Sequence, residues 1–290
     1  MSGGILEIAN AKINLSLRIR GKRPDGYHLL ESLVLFADAA DRVTCRNADA
    51  LSLEVTGPFG AALSADGDNL VLKAARVFAG ALGREPALAF TLEKNLPVAS
   101  GIGGGSADAA AAIRALIRLW GDPPGSIAGI AVQLGADVPV CVRKRPSMMW
   151  GIGEQTRDAG PLPDIDAVLV NPGVAVSTPE VFRRLNASPV DGATPPAPLP
   201  RIATLDDLLG WLAGNPNDLQ APAMEIAPVI GDVLETLEKS AGARLARMSG
   251  SGATCFALYG NPFDAAEAAA DLARRHPGWW VAATRLRGSQ

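Results

Sequence analysis

The stretch Leu96-Pro97-Val98-Ala99-Ser100-Gly101-Ile102-Gly103-Gly104-Gly105-Ser106-Ala107-Asp108 is the most chemically informative part of the chain. An alternating run, Leu88, Phe90 and Leu92, precedes it. A helical pattern follows over residues 106–120, with Ile113, Leu116, Ile117 and Trp120 on one face and Arg114 and Arg118 on the other. Glycine admits positive φ and lets a ligand approach the main chain closely. Successive bare N–H groups then make an anion-binding concavity, and the new helix adds its free N–H groups and positive dipole end. A polyphosphate is the natural guest. Ser106 is placed to cap the helix, donate to phosphate or lie near a metal. No Gly-Lys-Ser/Thr follows the second glycine, as a Walker loop requires, and Gly101-x-Gly103-x-x-Ser106 departs from the dinucleotide fingerprint GxGxxG. A plain glycine linker does not explain a position between a strand and a helix.

The elements around this loop mix two periods. Ile13, Leu15, Leu17 and Ile19 alternate with Lys12, Asn14, Ser16 and Arg18, which predicts a half-buried strand. Further strands are expected at 33–36, 42–46, 51–55, 166–170, 243–248, 253–259 and 278–286. Asp68-Asn69 precedes a helical stretch, 70–82, closed by Gly83. Other helices are expected at 126–134, 179–186, 203–213, 218–239 and 263–275, with Pro222 and Pro228 breaking or kinking the fourth of these. Asp108 reads as a first-turn residue that suits the helix dipole, and His276 as a solvated or capping residue at a helix end. The proline-dense segment 187–200 reads as a loop or disordered insert. The best boundary lies near Gly160-Pro161-Leu162-Pro163 and divides the chain into 1–160 and 161–290, an α+β mixture.

Composition narrows the classes. The chain has 290 residues, 48% hydrophobic and 20% charged, and 27 basic against 30 acidic residues give a formal charge of -3. That is globular composition without the basic footprint of a nucleic-acid binder. Three scattered cysteines, Cys45, Cys141 and Cys255, form no CxxC pair, and two histidines, His28 and His276, leave little room for a metal cluster. A reduced, cytoplasmic setting is expected, with no secretory signal, no spanning helix and no membrane partner.

Pro97 to Ala107 resembles the second motif of the GHMP small-molecule kinases, named for galactokinase, homoserine, mevalonate and phosphomevalonate kinases. Met248-Ser249-Gly250-Ser251-Gly252-Ala253 resembles their third, glycine-rich motif. Ala11-Lys12-Ile13-Asn14-Leu15, Asp25-Gly26-Tyr27-His28 and Leu134-Gly135-Ala136-Asp137-Val138-Pro139 narrow the resemblance to a branch acting on a cytidine diphosphate sugar alcohol. Ala99-Ser100 stand where many members have glycines, and Ile102 where leucine is usual. Both leave the N–H groups available, so nucleotide affinity is expected to be tuned rather than lost.

The resemblance implies a two-domain fold: an N-terminal ribosomal protein S5 domain 2-like α/β domain that holds ATP (1–160) and a C-terminal ferredoxin-like α+β domain (161–290). It implies transfer of the ATP γ-phosphoryl to a tertiary 2-hydroxyl in the non-mevalonate route to isoprenoid precursors. ATP is then the co-substrate, with Mg²⁺ carried on its phosphates and no protein metal ligand assigned. The partners are small molecules, and the chain is a monomer or homodimer. Asn69 and residues Pro97, Val98, Ala99, Ser100, Gly101, Ile102, Gly103, Gly104, Gly105, Ser106 and Ala107 are the expected nucleotide contacts. Asn69 is equally an N-cap. Asp137 is the expected general base, and Lys12 the cation that keeps it ionised and offsets phosphoryl charge. Asn14, Tyr27, His28, Thr178 and Phe182 are the expected substrate contacts, Tyr27 and Phe182 stacking on the base and His28 bonding its edge. Each has a plain alternative: a helix-end carboxylate for Asp137, a solvated strand residue for Lys12, turn chemistry for Tyr27 and His28, core packing for Phe182. Another GHMP kinase, a non-catalytic sensor on the same fold and an unrelated dinucleotide binder are the competing functions.

Overall fold

A computed structural model describes residues 4–289. In chain order the elements are β1 (Ile5–Asn14), β2 (Arg18–Lys22), β3 (His28–Asn47), β4 (Ser52–Thr56), α1 (Leu70–Ala81), β5 (Leu88–Glu93), α2 (Gly104–Trp120), α3 (Ile127–Val132), α4 (Val138–Arg143), β6 (Ser147–Gly151), β7 (Gln155–Asp158), β8 (Ile165–Asn171), α5 (Thr178–Arg183), α6 (Leu205–Ala213), α7 (Gln220–Ile226), α8 (Val229–Glu238), β9 (Ala243–Met248), β10 (Cys255–Tyr259), α9 (Pro262–Arg275) and β11 (Trp280–Arg287). They form two compact units. The first holds residues 4–11, 40–98 and 103–144; the second holds 12–39, 99–102 and 145–289. This division does not follow the chain cut at 160, because residues 12–39, 99–102 and 145–160 group with the later residues.

In the first unit β5 pairs antiparallel with the last part of β3 and parallel with β4. A parallel neighbour needs a crossover, which α1 supplies. The start of α1 is fixed by Asn69, whose side chain accepts the Val71 N–H at 3.0 Å. On α2, Ala107, Ala109, Ala110, Ala111, Ala112 and Ala115 are all buried. Small side chains let α1 and α4 pack closely on it. Arg114, on the face opposite the apolar one, is half-buried: it pairs with Glu7 at 3.0 Å and donates to the carbonyls of Cys141 and Ile8, both at 2.8 Å.

In the second unit the antiparallel order β11-β8-β10-β9 carries α8 and α9. With β8, α8, β9, β10, α9 and β11 in chain order, this is the βαββαβ arrangement of a ferredoxin-like domain, as expected. Val168, Val170, Val233, Leu237, Ala257 and Leu272 share its core. The helical stretch 218–239 is two helices, α7 and α8, broken at Ala227-Pro228.

Several expectations need correction. The alternation at 12–18 does not make a half-exposed strand: Lys12, Asn14 and Ser16 are as buried as Ile13, Leu15 and Leu17, and β1 ends at Asn14. Residues 33–36 and 42–46 belong to one 20-residue strand, β3. The hairpin β6–β7 and the short helix α4 were not expected. The helix at 179–186 ends at Arg183, and the strand at 253–259 starts only at Cys255. The proline-dense segment is a loop held against β7, where Arg157 donates to the carbonyls of Pro196 and Ala197 at 3.0 and 3.2 Å. His276 is the C-cap residue of α9, its ring stacked on Trp279 with centroids 3.8 Å apart.

Candidate functional site

The glycine loop belongs to both units. Pro97, Val98 and Gly103 to Ala107 lie in the first, Ala99 to Ile102 in the second. Three of its residues have left-handed backbone: Ala99 (φ 50°), Gly101 (φ 76°) and Gly103 (φ 65°). Gly103 is the N-cap of α2, which starts at Gly104, two residues earlier than expected, so Ser106 does not cap it. Ala107 N–H bonds back to the Gly103 carbonyl at 2.8 Å. The N–H groups of Gly104, Gly105 and Ser106 therefore precede the intrahelical ladder, at the positive end of a 17-residue dipole. In the same unit Leu63, Asn69, Leu70, Gly105 and Asp108 border a cleft of about 280 Å³. Asn69 thus caps α1 and also faces the space beside the head of α2.

Below that head lies a cluster that the sequence reading passed over. Lys94 Nζ donates to Asp41 at 2.5 Å and to Asp108 at 2.6 Å, with all three side chains buried. Asp108 is not a first-turn, dipole-facing residue; it points into the interior from the second turn. Burial pushes its carboxyl up to about 7 against the pull of Lys94. Lys94, although burial works against its charge, is held above the usual lysine range by Asp108 and Asp41. Asp41 also accepts the N–H groups of Asn95 and Leu96, at 2.6 and 2.8 Å, and so fixes the entry to the loop. The available signal was a lysine directly after the alternating strand and shortly before the glycine loop.

In the second unit the middle of the loop lies on the third motif. Ser249 Oγ donates to the Gly101 carbonyl at 3.1 Å, and Thr254 N–H donates to the Ser100 carbonyl at 3.1 Å. Asn217, also missed, donates to the carbonyls of Met248 and Gly250, each at 2.8 Å. Lys12 N–H bonds the Ile102 carbonyl at 2.9 Å. Its buried ammonium donates to Asn14 Oδ1 at 3.1 Å, Asn14 Nδ2 donates to Ser32 Oγ at 2.7 Å, and Ser32 donates to the Ser16 carbonyl at 2.6 Å. This run of donors orients Lys12 and rules out the solvated alternative for it. Asn14, named as a substrate contact, has both ends of its amide engaged in that run.

His28 packs against Phe182, ring centroids 5.0 Å apart and tilted by 35°. Burial, with Lys22 nearby, lowers the His28 pKa, which favours the neutral ring, and its Nε2 is buried without a hydrogen-bond partner among the described residues. Tyr27 is 58% exposed on the Asp25-Gly26 turn, and Thr178 shares a 2.7 Å hydrogen bond with Ser251 of the third motif. Thr178, Phe182 and His28 therefore fall in one unit with Lys12 and Asn14. Asp137 lies in the other unit, at the N-cap of α4, where its side chain makes no capping bond. No group of three or more His, Cys, Asp or Glu suited to a metal ion occurs among the described residues.

Residues 69–145 match the GHMP kinases N terminal domain and residues 197–278 the GHMP kinases C terminal domain. The chain is 56% identical over 284 residues to 4-diphosphocytidyl-2-C-methyl-D-erythritol kinase of Parvibaculum lavamentivorans, covering 97% of this chain and 98% of the relative. The enzyme of the same name from Bradyrhizobium diazoefficiens is 51% identical at the same coverages. A crystal structure of 4-(cytidine 5'-diphospho)-2C-methyl-D-erythritol kinase superposes with a TM-score of 0.77 at 32% identity, covering 98% of this chain and 100% of that one. Homoserine kinase from Cytophaga hutchinsonii, at TM-score 0.65 and 17% identity, shares the fold.

The contact between loop and third motif leaves no room for a side chain. A Cβ on Gly101 would stand 2.5 Å from the Ser249 carbonyl oxygen and 2.7 Å from Gly252 N, whereas one on Gly83, also at positive φ, meets nothing within 4 Å. Urea unfolding should show Gly101→Ala losing ~2–4 kcal/mol and Gly83→Ala only ~1 kcal/mol. Equal losses would mean that backbone conformation alone, not the close approach, demands the glycine.

Proposed function

The chain belongs to the GHMP kinase family, and from that membership we propose that it transfers the γ-phosphoryl group of ATP to the 2-hydroxyl of 4-diphosphocytidyl-2-C-methyl-D-erythritol. The products are ADP and the 2-phosphate, in the non-mevalonate route to isoprenoid precursors. The reaction takes place in the cytoplasm, the partners are the two small molecules, and the chain acts as a monomer or homodimer. Mg²⁺ arrives as part of the nucleotide substrate. The observation that carries the reading is the head of α2: Gly103 in the left-handed conformation delivers three N–H groups without helical partners beside a cleft bordered by Asn69.

Phosphoryl transfer asks for positioning and charge stabilisation rather than covalent work by the protein. The N–H groups from Gly104 to Ser106 hold phosphate oxygens, with Pro97 to Ile102 shaping the approach and Asn69 beside the nucleoside. Lys12, pinned by Asn14, presents a fixed cation to the charge that moves from ATP to the acceptor. Asp137 takes the proton from the acceptor hydroxyl as its oxygen bonds to phosphorus. An ordinary aspartate is a weak base toward an alcohol, but proton transfer can lag in a loose transition state. A neutral His28, with its unpartnered Nε2, bonds the edge of the cytosine; Phe182 and Tyr27 supply ring faces, and Thr178 a hydroxyl.

Incubation of the chain with Mg-ATP and the cytidine diphosphate substrate should yield a new phosphomonoester by phosphorus NMR; phosphorylation of mevalonate instead would overturn the substrate assignment. Asp137→Asn should lower turnover by ~10² or more while calorimetry still detects ATP binding. Near-normal turnover would remove Asp137 from the base role. His28→Ala should raise the KM of the cytidine substrate about tenfold and leave that of ATP unchanged. An unchanged cytidine KM would return His28 to packing alone.

A further inference from the structure

Three charged side chains lie beneath Gly104 at the head of α2, and they do not balance. Lys94, Asp41 and Asp108 are 2%, 0% and 3% exposed. A Cβ on Gly104 would stand 3.1 Å from Lys94 Nζ and 3.9 Å from Asp41 Oδ2, so the cluster lies directly under the first helical residue. One ammonium serves two carboxylates. Asp41 spends its second oxygen on the Asn95 and Leu96 N–H groups. The second oxygen of Asp108, Oδ1, has no partner among the described residues. Two carboxylates at one cation in a low-dielectric site do not both stay ionised easily, and the one with fewer donors gives way first. The rise of the Asp108 carboxyl to about 7 agrees with that geometry.

The other charges near Asp108 do not supply the missing donor. The loop before α1 brings Asp66 and Asp68 to the cleft that Asp108 borders. From α1, Lys73 pairs with Asp68 at 3.0 Å, and Arg76 donates to the Gly67 carbonyl. On α2, Arg114 and Arg118 are engaged with Glu7. The remaining charged residue of α4, Arg143, is in its last turn, with Asp137 at its N-cap.

We propose that Asp108 is a positioning residue of the nucleotide site that takes up a proton when a polyphosphate seats on the N-terminus of α2. This rests on reading that terminus as the phosphate seat. The arriving anion adds negative charge above a cluster that already carries one in excess. A proton from solvent in the cleft bonds to Asp108 Oδ1 and brings the cluster to neutrality; no other bond breaks. Binding raises the proton affinity of Asp108, so by linkage nucleotide affinity falls as pH rises through neutral.

The test is calorimetric titration of ADP into wild type and Asp108→Asn, in two buffers of different ionisation enthalpy across neutral pH. Wild type should take up a fraction of a proton per ADP, and its affinity should fall about fivefold more than the variant's from pH 6.5 to pH 8. The variant should lose the uptake, which a purely structural role for Asp108 would not require. Equal uptake by both proteins overturns the proposal and leaves the phosphate seat standing; absence of ADP binding to wild type overturns the seat itself. If the variant does not fold, carbon-13 NMR of the wild-type carboxyls decides. An aspartate that titrates near neutral and shifts toward its protonated position on ADP addition supports the coupling, and the lack of one overturns it.

Discussion

Main-chain N–H groups can grip an anion only where no carbonyl has already claimed them, and this constraint organises the chain around residues 97–107. A helix leaves its first N–H groups without internal partners, but a side-chain cap ordinarily satisfies some of them. Here the N-cap is Gly103, which has no side chain to turn back, and Ser106 sits one turn too far in to cap. The contrast with α1 is instructive. There the Asn69 side chain takes the Val71 N–H. The two helices lie against each other, one with a side-chain cap and one without, and the heads of both border the cleft.

Keeping that terminus open requires rigid support from below, and the support is polar. Asp41 holds the two N–H groups that lead into the loop, while Lys94 ties Asp41 to Asp108 on α2. A buried ion cluster is weak ground for stability, since desolvation offsets much of the Coulombic gain. Its effect here is geometric: it joins the end of β5, the middle of β3 and the second turn of α2 at one point. Lys12 shows the same logic in the second unit. Its chain of donors through Asn14 and Ser32 ends on a backbone carbonyl, so the orientation of a mobile side chain is set by the main chain.

What the sequence made legible follows from this. The glycine loop, its flanking strand and helix and the α7–α8 break at Pro228 rest on local signals: period, glycine and proline; the ferredoxin-like order of the last strands was expected from the family resemblance. The polar interior did not. Period-two alternation of Lys12, Asn14 and Ser16 with apolar neighbours is the ordinary mark of a strand with one wet face. It misleads here because the polar face is buried too: Ser32 takes the Asn14 side-chain amide, and Leu33 N–H bonds the Ser16 hydroxyl, partners on another strand. Asp108 misled for a similar reason. Its position early in a helix suggests the dipole, and only the fold reveals Lys94 beside it.

The third motif makes the same point about glycine. Gly101 and Gly250 meet backbone to backbone: a Cβ on Gly250 would stand 2.5 Å from the Gly101 carbonyl oxygen, and one on Gly101 as close to that of Ser249. Two glycine-rich segments nearly 150 residues apart in sequence therefore each owe their composition to the other. Read singly, each is a flexible stretch that weakens the fold, since glycine loses the most freedom on ordering. Read together, they are a contact of two main chains, closer than any side chain permits. Asn217 then fixes the third motif by its own carbonyls, so its shape does not depend on a ligand. The residues that look most mobile in the sequence are thus among the most constrained in the structure, and that constraint defines the loop's conformation without a ligand.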